Sequence, residues 1–196
     1  MNLLGHIRCA RTLSDRPAFW LGSALPDLQR EAGVALGPAQ WPDEVRAGIE
    51  CHRAADVAFH ELDVFRLQSS ALTRALLDAG LPRGAARAIG HAGWELLFDG
   101  ALLEDGSLVD GYLAAMSVDV SGFAAEWAPA LARRVERGVP SFYADPAQVT
   151  ELLWRVLARR RLLAFDRGHS DAVTACLRVA QPGIVSTVEE VFVGLG

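Results

Sequence analysis

Two short stretches of this sequence place imidazoles and carboxylates at the spacing of one helix face. In ECHRAADVAFHE, His52, Asp56 and His60 fall at i, i+4 and i+8. On a helix of about 3.6 residues per turn they form one stripe, each a turn above the last. Two neutral imidazoles and a carboxylate are good ligands for a divalent ion. Asp56 is also able to orient an imidazole without touching the ion. In HAGWELLFD, His91, Glu95 and Asp99 repeat the spacing on a second helix, flanked by Trp94, Leu96, Leu97 and Phe98. Large apolar neighbours predict a stripe aimed inward, where acids need a partner or an ion to offset desolvation. Two ligand-bearing helices packed face to face are how helical domains build metal sites. The plainer reading of each stripe is a solvated helix face.

His6 interrupts an apolar N-terminal helix, and Asp27 stands in the nearly uncharged LGSALPDL. His169, beside a serine that suits a helix cap, reads as a hydrogen-bonded surface residue. Neither stripe is an HExxH zincin motif, and the sequence has no GxSxG elbow or glycine-rich phosphate loop. All basic residues are arginine, which excludes Schiff-base and P-loop lysine chemistry. Arg159–Arg161 read as a cluster late in a helix, favourable to the dipole or able to clamp a phosphate.

The elements that must position these residues are helical. The chain has 196 residues, 51% hydrophobic, with a net charge of −5. That length suits one domain over residues 1–196 with a real core, and the acidic balance argues against nucleic-acid binding. Three scattered cysteines form neither a disulfide scaffold nor a thiolate zinc site. No apolar run is long enough for a membrane span, so a cytoplasmic protein with no membrane partner is expected. Apolar periodicity predicts an all-α domain of seven or eight helices, without repeats or linkers. Helices are expected over 3–11 and 18–31. A long one from Pro42 to Ala79 should break near 61–64, with Gly80 past its end. Further helices are expected over 82–104, 107–118, 121–138 (capped by Ser121), 146–168, and 170 to Pro182, with one more at the C-terminus. Residues 32–40 read as a loop.

Several of these segments resemble the acyl carrier protein phosphodiesterase family, whose fold is related to the HD-domain metal-dependent phosphohydrolases. MNLLGHIRCA is similar to the family's MNFLAHLHLA-like opening, with His6 in place. GSALPDL resembles its G-N-x-L-x-D-F element, with Asp27 on the aspartate. VRAGIECHRAAD resembles V-x-x-G-I-x-x-H-R-x-I-D, matching Gly48, Ile49, His52, Arg53 and Asp56; LLWRVLARRR is a weaker echo of a later segment. The chain departs where the family has a threonine-aspartate pair, here Phe59-His60. It departs again in a D-V-x-W-D-H-F-L-like run, where His91, Glu95 and Leu96 stand for aspartate, aspartate and histidine.

The resemblance implies an HD-like helical fold and phosphodiester cleavage by a water activated on a divalent ion (manganese, iron or magnesium, with zinc a further option). It implies His6, His52 and His91 as imidazole ligands and Asp27 and Asp56 as carboxylate ligands. Glu95 would be ligand or general base, and His60 ligand or leaving-group acid. Arg53 would hold the substrate phosphate, on a phosphorylated small molecule or an acyl carrier protein. Leu96 in place of a histidine motivates the alternative, a catalytically inactive helical binding or scaffold protein with a degenerate or structural metal site.

Overall fold

The computed structural model describes residues 1–37 and 41–195, so the end of the expected 32–40 loop lies outside the described residues. The protein is all-α: ten α-helices and four short 3-10 turns, with no strand among the described residues. The count exceeds the expected seven or eight, and the long helix divides. α3 (Asp43–Glu61) opens with acids in its first turn, and α4 (Asp63–Asp78) follows an extended Leu62 at φ −63, ψ 128. The break falls where expected. Gly80, at φ 87, ends α4 as a left-handed residue, with Leu81 N–H donating to the Leu76 carbonyl.

Contacts cluster in two compact units. One comprises residues 1–58 and 102–140 with Leu195, the other residues 59–101 and 141–194. In the first unit, α1 (Leu3–Leu13) and α2 (Pro17–Ala32) pack on each other and on α6 (Gly106–Met116). Leu4, Ile7, Leu21, Leu25 and Tyr112 are fully buried there. α6 is capped by Asp105, whose carboxylate accepts from Leu108 N–H at 3.1 Å. α7 (Ala128–Arg137) starts later than Ser121, because Pro129 in its first turn fixes the helix start. Ser121 instead donates its N–H to the Asp119 carboxylate at 2.9 Å in the preceding turn.

α2 and α3 meet at two glycines. A methyl on Gly22 would strike the Val45 carbonyl oxygen, and one on Gly48 the Phe19 carbonyl oxygen. Only hydrogen at both positions lets the two backbones approach this closely.

The second unit is built around α5 (Arg83–Ala101), which packs on α4, α8 (Pro146–Leu157) and α9 (Ser170–Ser186). Phe59, Trp94 and Phe98 are fully buried and pack in sequence, Phe59 tilted against Trp94 and Trp94 stacked on Phe98, with ring centroids 5.6 and 5.1 Å apart. α8 ends at Leu157 rather than near Gly168. The chain bends there, seating the Leu162 carbonyl against Gly84 and leaving the Leu162 side chain 84% exposed. Arg159–Arg161 therefore lie in the turns after the helix, not in its last turn. α9 runs through Pro182 to Ser186; the proline costs one intrahelical bond, and burial of Ile184 carries the helix on. α10 (Val188–Leu195) follows.

Candidate metal centres

The expected ligands fall into two groups, one in each unit. In the first unit α1 contributes His6, α2 Asp27 and α3 His52, with ligand-capable atoms all within 4.8 Å of one another. His6 and His52 are buried while Asp27 is exposed. The two imidazoles stack with centroids 3.7 Å apart and planes 26° apart.

His52 Nδ1 lies 2.8 Å from the Ser23 backbone oxygen. A carbonyl only accepts, so Nδ1 carries the hydrogen and the lone pair belongs to Nε2. This is the usual way a ligating histidine is oriented. Burial pushes the His52 imidazole below its ordinary value of 6.5, against the opposing pull of the Ser23 bond and the Asp56 charge. Asp56, one turn after His52, places Oδ1 3.7 Å from His6 Nε2 and 3.4 Å from the Met1 α-amino nitrogen. It flanks the His6–Asp27–His52 group.

Arg53, the residue after His52, is exposed at the surface. It lines a groove of about 200 Å³ with Leu36, Gly37, Trp41, Arg46 and Glu50.

In the second unit the end of α3 supplies His60 and α5 supplies His91 and Glu95. His60 Nε2 is 3.2 Å from His91 Nε2 and 3.2 Å from Glu95 Oε1, and His91 Nε2 is 3.3 Å from the same oxygen. Burial alone would raise the Glu95 pKa, but hydrogen bonds from His60 and His91 overcome it and hold the carboxyl well below the usual range. Phe65 stands nearly perpendicular to both imidazoles in T-shaped contacts, its ring centroid 5.2 Å from each of theirs. Asp99, the third member of the α5 stripe, is fully buried and lies outside this trio.

His91 thus groups with His60 and Glu95, and not with the His6 set. The spacing identified both stripes, but it carried no sign of which residues from distant segments would join them. The Ser23 carbonyl was invisible in sequence, since any residue supplies one. A groove of about 550 Å³ lined by Ser70, Thr73, Arg74, Leu77, Arg83 and Arg87 was also missed. The i, i+4 series Arg83, Arg87, His91, Glu95 was the available signal.

Among the described residues no helix is long and apolar enough to cross a membrane. Comparison with protein-family models, curated proteins and solved structures returns no match.

Proposed function

We propose that this chain is a divalent-metal-dependent phosphohydrolase that cleaves a phosphodiester, with its ion on His6, Asp27 and His52. One observation carries the reading. Three residues matched separately to the phosphodiesterase pattern, on three different helices, bring their ligand atoms within 4.8 Å of one another. The donor set suits manganese or iron, being mixed nitrogen and oxygen, and zinc also tolerates it.

When bound, such an ion supplies Lewis acidity and a water of lowered pKa. The chain's own residues do the rest. The Ser23 carbonyl fixes the His52 tautomer and aims Nε2. Asp56, beside His6 Nε2 and partly exposed, stands at the rim, where its carboxylate can reach the ion or orient the His6 imidazole. Arg53 offers a two-pronged donor to phosphate oxygens. A phosphorylated small molecule or a phosphopantetheine-bearing carrier protein is the substrate class this reading favours.

The test is chelation and reloading. Chain stripped of metal, then given Mn²⁺, Fe²⁺, Mg²⁺ or Zn²⁺ in turn, should hydrolyse a phosphodiester only after reloading. Asp27→Asn should lose that rescue. Hydrolysis that persists in the stripped chain contradicts the proposal.

A further inference from the structure

The trio in the second unit has a geometry that hydrogen bonding alone does not account for. Each Nε2 has a single in-plane direction in which to donate or accept. Here both Nε2 atoms sit at 3.2–3.3 Å from each other and from one carboxylate oxygen, a closed triangle. Two directed groups cannot both satisfy three edges, but they can converge on a point inside them. The rings bring the same nitrogens together. Their planes are only 13° apart, and their separation grows from 3.2 Å at the nitrogens to 4.9 Å at the centroids. The two Nε2 atoms are thus closer to each other than the stacked rings that carry them. Ligand atoms around a tetrahedral ion stand about 3.3–3.4 Å apart, close to the observed edges.

The surroundings suit a catalytic centre more than a structural one. Three ligands leave a fourth position open. The side chains are 31%, 50% and 15% exposed for His60, His91 and Glu95, so small molecules reach the site. Phe65 holds both rings from the side.

The α5 stripe also indicates what binds there. Arg87 lies one turn before His91, about 6 Å along the axis, and Arg83 a turn before that. With Arg74, Ser70 and Thr73 they line the groove of about 550 Å³. Among the described residues, none of these three arginines has a carboxylate within ion-pair distance, in a chain whose net charge is −5. Unneutralised guanidinium groups in one groove select an anion with several oxygens.

We infer that His60, His91 and Glu95 form a second metal centre, separate from the His6 set, whose open position takes a phosphate-bearing ligand received by Arg83 and Arg87. The trio thereby acts as ligands, the first of the two roles the resemblance implied for each of His60 and Glu95.

Calorimetric titration of chelator-stripped, tag-free protein with Zn²⁺ tests this, with circular dichroism confirming each fold. Wild type should take up two ions, and His91→Ala and Glu95→Gln one each, with the second affinity falling more than about 100-fold, beyond what an outer-shell change produces. His52→Ala should also retain one. If only the first centre fails to bind, wild type takes one ion and His91→Ala none, which upholds this inference while sinking the other. Unchanged stoichiometry and affinity in both His91→Ala and Glu95→Gln overturns the centre. Inorganic phosphate titrated into zinc-loaded protein should bind about tenfold more weakly in Arg87→Ala and in Arg83→Ala. Equal affinity in both variants removes the groove from the proposal.

Discussion

The imidazole of His52 donates to the backbone carbonyl of Ser23 across 2.8 Å, joining α3 to α2 one residue beyond the Gly22 contact and one turn beyond Gly48. The two glycines set how closely these helices approach, and that approach puts the Ser23 oxygen within reach of Nδ1. The tautomer of a candidate ligand therefore depends on two residues that carry no chemistry.

Gly48→Ala should show this directly. A methyl there meets the Phe19 carbonyl oxygen, which is backbone and cannot swing away. Overpacking of this kind costs about 1–3 kcal/mol. Urea unfolding should report that loss. Metal uptake at the His6 set should weaken in the folded variant, while uptake at the His60 set is retained.

How much of this was legible in sequence varies by residue. Helical class, the break at Leu62 and the Gly80 stop follow from local rules, because periodicity and punctuation act over a few residues. The end of α8 does not: Leu162 and Leu163 continue the apolar pattern, yet Leu162 is 84% exposed and the chain bends onto Gly84. The stripes on α3 and α5 were readable, since spacing alone aligns them. That the α3 stripe is shared out, with His52 beside His6 and His60 beside His91, depends on packing that no local pattern encodes.

The His52 imidazole gives a pH signature. Its folded-state pKa lies below 6.5, chiefly through burial. The unfolded chain therefore binds the proton more readily, and stability falls as pH drops through 6.5 toward the folded-state value. The metal-free protein should lose thermal stability across that window, and His52→Gln should flatten the loss. An identical profile in the variant would assign the effect elsewhere.

Glu95 acts lower on the scale. Its carboxyl is held below 4.5 despite burial, by its two imidazole partners. The stability it contributes is present above 4.5 and fades as pH falls below that value. Glu95→Gln should remove this acid-side slope, read from urea midpoints between pH 5 and pH 3.

Phe65 supports the His60–His91 pair by T-shaped contact and is 4% exposed. Phe65→Ala leaves a cavity costing about 3–5 kcal/mol. Phe65→Leu should cost less while still weakening Zn²⁺ uptake at that trio, since a leucine has no ring to stand against both imidazoles. Calorimetry on the leucine variant checks it.

Cys9 should be the slowest of the three cysteines to alkylate. Burial, with the neighbouring Cys51, raises its pKa from 9.0 to about 12, so almost none is thiolate at pH 8. Mass spectrometry after a timed iodoacetamide pulse on native protein reads the order; Cys9 labelling as fast as Cys176 would contradict it.

The most direct test of the phosphohydrolase reading is the rate of bis(p-nitrophenyl) phosphate hydrolysis by the Mn²⁺-loaded chain, measured beside His52→Ala at equal folded fraction. The account predicts metal-dependent turnover that falls at least about 100-fold in the variant, the scale on which catalytic metal sites act. Equal rates in the two proteins, or no hydrolysis by a wild-type chain shown to hold its ion on His6, Asp27 and His52, would contradict it.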